Sequence, residues 1–292
     1  MKEIVVISGK GGTGKTSLTA SFAVLGGEDV VVADCDVDAA DMHLLLEPDF
    51  ARGEKFFSGE LAVIDPELCN GCGECAAACR YDAISLVDGR YAVDEIGCEG
   101  CGYCARICPV DAITNIEQDV GYWYRSKLRT GATMVHARLK IGADNSGKLV
   151  AKVKNEAKSV AEQDGKELIL VDGSPGVGCP VVSSLSGASL AVLVTEPTVS
   201  GLHDLRRVHE LVKMFDIRCG CIVNKSDLNQ AVLAELRRFL DEEGIVPLVE
   251  IPYDEKFTEA ITSGRTIVEH DADLAGVVSG CWQEIKKLVE EG

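Results

Sequence analysis

No window of this 292-residue chain approaches the ~18 consecutive apolar residues of a membrane-spanning helix. Met1 to Ile7 is a short apolar run that meets glycines at once. It is not a basic start followed by a long apolar stretch, so no secretory leader is expected. Both absences predict a soluble, cytoplasmic protein without membrane insertion. Basic charge is also scarce, with 29 Lys and Arg against 47 Asp and Glu and a formal charge of −18. Such a surface repels phosphate backbones and anionic membranes, so nucleic acid is not an expected partner. Apolar residues make up 46%, which is enough to build a sizeable core and excludes global disorder. Thirteen cysteines in a cytoplasmic chain point to metal binding, not to disulfides.

The texture alternates. Apolar strand-like runs lie at Glu3–Ile7, Val30–Ala33, Glu167–Val171, Leu190–Val194, Ile217–Val223 and Val246–Ile251. Helical spacing appears at Lys15–Leu25, Ala39–Leu46, Leu149–Glu162, Leu202–Met214, Gln230–Glu242 and Asp273–Glu290. This alternation predicts an α/β fold with a mostly parallel, doubly wound sheet. The last helix carries an apolar stripe (Leu274, Val277, Val278, Cys281, Trp282, Ile285, Leu288, Val289) and few basic residues. It is expected to pack on the sheet and not to lie on a membrane. Between residues 57 and 117 the chain becomes rich in Cys, Gly and Ala, and Asp119 to Lys148 reads as a connecting segment. The expected organisation is a first part of the α/β domain at 1–56, an inserted small α+β domain at 57–117, and a second part at 118–292.

Gly9-Lys10-Gly11-Gly12-Thr13-Gly14-Lys15-Thr16 fits the phosphate-loop pattern in full, after a predicted strand and before a predicted helix that begins Lys15-Thr16-Ser17. Glycines let backbone N–H groups turn inward around oxyanions, and the helix N-terminus adds a favourable dipole. Lys15 is expected at the β/γ-phosphates and the Thr16 hydroxyl on Mg²⁺.

The insert contains an internal repeat with an offset of 29 residues. Cys69, Cys72, Cys75 and Cys79 are spaced x₂-x₂-x₃, and so are Cys98, Cys101, Cys104 and Cys108. Both runs match the bacterial ferredoxin pattern for [4Fe–4S] clusters. Three close thiolates hold three corners of one cube, and the fourth, one turn into a helix, reaches the other. Cluster one would take Cys69, Cys72, Cys75 and Cys108. Cluster two would take Cys98, Cys101, Cys104 and Cys79. Structural zinc, which takes four ligands in two Cys-x₂-Cys pairs, fits tandem runs of this kind poorly. Arg80 stands where the pattern has a proline after the first run, whereas Pro109 follows the second.

The lysine at position 10 goes beyond an ordinary phosphate loop. Lys10-Gly-Gly-Thr-Gly-Lys15-Thr16 resembles the deviant Walker A motif of the MinD/ParA/Mrp ATPases and nitrogenase iron protein. The resemblance continues at Asp34-Cys35-Asp36, at Leu168-Ile-Leu-Val-Asp172-Gly-Ser-Pro-Gly176 and at Val194-Thr-Glu-Pro-Thr-Val-Ser-Gly-Leu-His-Asp-Leu, and so covers essentially the whole chain. It implies a nucleotide-sandwich homodimer in which Lys10 crosses to the partner's phosphates. It also implies that Asp36 orients the attacking water, that Asp34 and Asp172 support Mg²⁺, and that Asn224 holds adenine. Asn224-Lys225-Ser226-Asp227 also resembles the guanine-reading motif of GTPases, so GTP stays open beside ATP. The expected function is an ATPase whose nucleotide state is coupled to electron transfer toward an unidentified redox protein. Alternatives are an Fe–S carrier that serves an acceptor protein, or a redox-responsive positioning switch.

Five cysteines are left over. Cys35 and Cys281 read as packed thiols. Cys219 and Cys221 share one strand face, and Cys179 lies seven residues after Asp172. Cys219 and Cys221 read as two buried thiols or as a metal site across a dimer, and Cys179 as a candidate ligand of a bridging cluster, so these three are the candidates for an additional metal site. The bridging cluster lacks the second upstream cysteine that the nitrogenase iron protein arrangement needs, since no cysteine lies between Cys108 and Cys179.

Overall fold

A computed structural model describes every residue except 141, 144, 145 and 292. The chain begins with β1 (Lys2–Ser8), α1 (Lys15–Gly26), β2 (Val30–Asp34), α2 (His43–Leu46) and β3 (Arg52–Ile64). There follow α3 (Glu74–Ala78), β4 (Ile84–Val87), β5 (Arg90–Val93), α4 (Tyr103–Ile107), β6 (Ile113–Lys127) and β7 (Thr133–Leu139). Next come α5 (Ser146–Gln163), β8 (Leu168–Pro175), α6 (Cys179–Leu185), β9 (Leu190–Thr195), α7 (Val199–Met214) and β10 (Cys219–Asn224). The chain closes with α8 (Gln230–Glu242), β11 (Val246–Ile251), α9 (Lys256–Thr262), α10 (Ile267–His270) and α11 (Ala272–Glu290).

Two compact units divide these elements. The larger comprises Met1–Glu54, Trp123–Arg138 and Ser146–Gly292; the smaller comprises Lys55–Tyr122 and Leu139–Asn145. The expected insert at 57–117 lies within the smaller unit, which also recruits a second stretch of chain.

The main sheet runs in the order β11-β10-β9-β1-β8-β2-β7-β6-β3. β1 pairs in parallel with β8 and β9, β10 with β9 and β11, and β2 with β7 and β8. The central strands are buried on both faces and so read as unbroken apolar runs, as parallel strands under helices do. Helix α11 packs by Val278, Cys281, Trp282, Ile285, Leu288 and Val289, as its stripe predicts, although Val277 stays exposed. Trp282 stacks on Phe22 of α1 at 5.3 Å.

The segment expected to be a connector, 119–148, needs correction. It holds the end of β6, all of β7 and the start of α5; its residues 141, 144 and 145 lie outside the described set. Charged and aromatic residues interrupt the apolar run in β6, so its strand character is weak in the sequence. Helix 39–46 shrinks to one turn at α2, and the short helices α6, α9 and α10 were not expected.

One buried group of the larger unit carries a pH prediction. His136 stacks on Tyr124 at 5.1 Å, meets the edge of Phe50 at 5.0 Å and shares a 2.9 Å hydrogen bond with Ser126. Burial, with His43 nearby, pulls its pKa down to about 4. The folded state therefore resists a proton that the unfolded chain accepts below ~6.5. Stability should be fully present above pH ~6.5 and fall as the pH drops toward 4, by on the order of 2–3 kcal/mol. Urea midpoints across pH 4–7.5 check this. A His136→Gln protein with the same acid slope as wild type would assign the slope to other groups.

Candidate functional site

The sequence-predicted nucleotide residues collect at the carboxyl ends of parallel strands, where ligands bind in open α/β sheets. The phosphate loop follows β1; Asp34 ends β2 and Asp36 lies two residues beyond it. Glu196 follows β9, and Asn224 ends β10. Asp172 lies on β8 in register with Asp34. The loop's glycines are demanded by close approach. A Cβ on Gly9 would lie 2.5 Å from the Asp204 backbone at α7, and one on Gly14 would lie 2.5 Å from Asn224 Nδ2. Gly14 is also left-handed (φ 90°) as it opens α1, which a side chain would strain. Two donors from the end of β10 fix the loop. Asn224 Nδ2 donates to the Thr13 carbonyl at 2.8 Å, and Lys225 Nζ to the Gly12 carbonyl at 3.0 Å. Asn224, expected at the base, is thus engaged with the loop itself. Ser17 lies half-buried in the first turn of α1. The Thr13 hydroxyl is buried without a hydrogen-bond partner among the described residues, at a loop built to receive oxyanions.

Lys15 meets three acidic neighbours. Its ammonium lies 2.8 Å from Asp172 Oδ1 and 3.4 Å from Asp36 Oδ2. Thr16 and Thr19 donate to the two Asp172 oxygens at 2.8 and 3.0 Å, and the Asp36 N–H donates to Asp34 at 3.1 Å. Burial pulls the Lys15 ammonium down, but Asp172 and Asp36 outweigh it and hold it above the ordinary lysine value. Burial, reinforced by Asp172, pushes the Asp34 carboxyl well above its usual range, and burial also raises Asp36. Three acidic side chains crowd one ammonium. Their oxygens, with the Thr16 hydroxyl, are the hard donors that Mg²⁺ takes.

Lys10 does not hang free. Its ammonium lies 2.6 Å from Glu196 Oε1, 3.0 Å from Ser200 Oγ and 3.3 Å from Thr198 Oγ1. Lys225 takes the other Glu196 oxygen at 2.9 Å. Burial alone would raise the Glu196 carboxyl; hydrogen bonds from the two lysines hold it below its usual range. Sequence reasoning missed Glu196 and Lys225. Both lay inside motifs quoted for other reasons, and nothing in their spacing shows that they meet.

In the smaller unit the 29-residue repeat is also a repeat of backbone. Gly71 and Gly100, Gly73 and Gly102, and Asp82 and Asp111 all have positive φ at matching places. Gly73 and Gly102 each open a five-residue helix, α3 and α4. A Cβ on Gly100 would overlap the Glu60 carbonyl, so glycine is required there. The antiparallel hairpin β4–β5 turns at Asp88-Gly89, both with positive φ, as two-residue hairpins prefer. One cavity is lined by Cys79, Cys98, Cys101 and Cys104, with Arg80, Tyr81 and Tyr103 around them. A second, far smaller cavity, of about 10 Å³ against about 550 Å³, is lined by Cys69, Cys72, Cys75 and Cys108, with Ile64, Tyr91 and Pro109. The Ala112 N–H donates to Cys108 Sγ at 3.3 Å. Among the described residues no three His, Cys, Asp or Glu side chains converge closely enough to hold a single metal ion. A four-iron cube does not ask for that, because each thiolate binds a different iron.

The additional site at Cys179, Cys219 and Cys221 is not assembled. Cys179 is exposed at the start of α6, which packs on α5 and β8, whereas Cys219 and Cys221 are buried in β10. Burial raises the Cys219 thiol to about 11 and Cys221 further, which disfavours the thiolates that metals bind. Cys35 and Cys281 are buried, as expected of packed thiols.

Residues 4–267 match the CobQ/CobB/MinD/ParA nucleotide binding domain. An uncharacterized protein of Methanocaldococcus jannaschii is 37% identical over 229 residues, covering 78% of this chain and 79% of that protein. The chloroplastic septum site-determining protein minD homolog of Arabidopsis thaliana is 25% identical over 298 residues, covering 99% of this chain and 74% of its own length. Among solved structures, the septum site-determining protein MinD of Pyrococcus horikoshii, complexed with Mg-ADP, superposes with a TM-score of 0.59 at 21% identity over 98% of this chain and 96% of that one. That likeness bears on the fold. Among the described residues no helix is long and apolar enough to cross a membrane. The chain belongs to the CobQ/CobB/MinD/ParA nucleotide-binding family, and its class of enzyme is the P-loop ATPase.

Proposed function

We propose that this ATPase works as a homodimeric switch that carries two [4Fe–4S] clusters and lets nucleotide state govern electron transfer. The observation that carries the cluster half is the crossed partition of cysteines. Eight thiols divide into two cavities, each lined by three from one run and the last from the other. Cys69, Cys72, Cys75 and Cys108 would hold one cluster, and Cys98, Cys101, Cys104 and Cys79 the second. Bound there, they would supply one-electron chemistry at low potential, around −400 mV for ferredoxins. Four thiolates per cluster saturate the iron, which favours a stable electron carrier over a donor of clusters.

The nucleotide half rests on the phosphate loop, its buried Thr13 hydroxyl and the three acids gathered at Lys15. Thr16, Asp34 and Asp172 fit Mg²⁺ by the hardness of their oxygens. Lys15 is placed to leave its carboxylates and neutralise phosphate charge. Asp36, the least buried of the three acids, is the residue for the attacking water.

The test uses anaerobically purified, dithionite-reduced protein and a soluble redox dye. ATP should speed electron delivery and ADP should not, with GTP effective only at higher concentration. Equal rates with ATP, ADP and no nucleotide would end the coupling. Loss of clusters to an apo-ferredoxin would move the reading to a carrier.

A further inference from the structure

The pairing of Lys10 with Glu196 is not accounted for by phosphate binding. Glu196 is only 8% exposed, and its carboxylate spans two ammonium groups that both belong to the phosphate-loop region. Lys225 is doubly committed, to Glu196 and to the Gly12 carbonyl, so it fixes the carboxylate in place. Lys10 differs. Its other acceptors are the hydroxyls of Thr198 and Ser200 at the start of α7, which are neutral and exchangeable with water. About a quarter of the Lys10 side chain is exposed, so it can leave without a change in the core. A phosphate dianion bound beside the loop competes with Glu196 for this ammonium, and a triphosphate competes better than a diphosphate because its chain carries one more negative charge and extends one phosphate further.

We propose that Glu196 is the resting counter-ion of Lys10, that Lys10 transfers from Glu196 to the terminal phosphate of a bound nucleoside triphosphate, and that Glu196 thereby sets how strongly the site prefers triphosphate to diphosphate. Lys225 is the clamp that keeps the carboxylate in place through the exchange. No bond is made or broken; one ion pair replaces another. The proposal rests on the nucleotide reading of the loop and names the residue that tunes it.

The test is isothermal titration of wild type and Glu196→Gln with a non-hydrolysable ATP analogue and with ADP, both with Mg²⁺. Glutamine keeps the size of the side chain and one of the two oxygens that accept from the lysines, and removes the competing charge. The variant should bind the triphosphate analogue at least about five-fold more tightly, with ADP affinity within about two-fold of wild type. In a Lys10→Met background the same substitution should have no selective effect, since the exchanged ammonium is gone. Sedimentation with the analogue tells whose phosphate receives Lys10: an unchanged mass means its own loop, a doubled mass the loop of a second copy. Equal shifts for both nucleotides, or a selective effect that persists without Lys10, would make Glu196 a structural tether only. Wild type that binds neither nucleotide would instead overturn the nucleotide reading itself. Melting temperatures of each variant separate these outcomes from misfolding.

Discussion

Lys15→Met should lower ATP turnover by at least about 100-fold, the scale of losing one preorganised charge at a reacting phosphate. It should also destabilise the nucleotide-free protein by about 3–5 kcal/mol, because it leaves buried carboxylates unpaired. Lys15 lies 2.8 Å from Asp172, which is fully buried, and 3.4 Å from Asp36. Thr16 and Thr19 still donate to Asp172 in the variant, so its oxygens keep partners while the charge loses its counter-ion. With the ammonium gone, the acids relieve themselves by taking protons, and Asp34 is already raised well above its usual range by burial and Asp172. A carboxyl with a raised folded pKa loses stability as the pH climbs from ~4 toward that pKa. The deficit should therefore grow between mildly acid and neutral pH. Millimolar Mg²⁺ should recover more stability in the variant than in wild type. Phosphate release and urea unfolding at pH 5 and pH 7.5 supply the measurements. Unchanged stability at both pH values would mean that the three acids do not share a field with Lys15.

The second large effect concerns which fourth cysteine serves which cluster. Replacing Cys98, Cys101 and Cys104 together by serine should lower iron from about eight to about four per chain. Adding Cys79→Ser to that protein should leave the remaining iron in place, because Cys79 lines the cavity already emptied. Adding Cys108→Ser should bring iron close to zero, because Cys108 lines the cavity of Cys69, Cys72 and Cys75. An uncrossed arrangement gives the opposite pair of results. Iron and acid-labile sulfide, assayed on anaerobically prepared protein, decide between them. Zinc in place of iron and sulfide would remove the clusters and leave a nucleotide switch. Cys179→Ser should leave iron at the wild-type level, since that thiol is exposed and lines neither cavity.

Legibility followed the range of the physics. The central strands could be read because burial on both faces writes itself as continuous apolar residues, seen at Val30–Asp34 and Leu190–Thr195. β6 escaped because its exposure is mixed, with Trp123 buried beside half-exposed Tyr122 and Tyr124. The chain excursion at 139–145 into the smaller unit left no mark, since nothing in Leu139 to Asn145 differs in composition from an ordinary connection. The expected metal site at Cys179, Cys219 and Cys221 failed for a related reason. Cysteine count is visible in the sequence, but whether two thiols are interior to a strand while a third is on the surface depends on packing.

By itself the sequence determined the phosphate loop, the two cysteine runs and the parallel α/β frame. These depend on local spacing: glycines where φ must be positive, thiols one loop apart, apolar runs of strand length. The tertiary structure alone decided that Asn224 and Lys225 brace the loop and that Glu196 holds Lys10. Those residues lie 29 to 213 positions apart in the chain, and only the folding of distant strand ends onto one edge of the sheet brings their charges within reach.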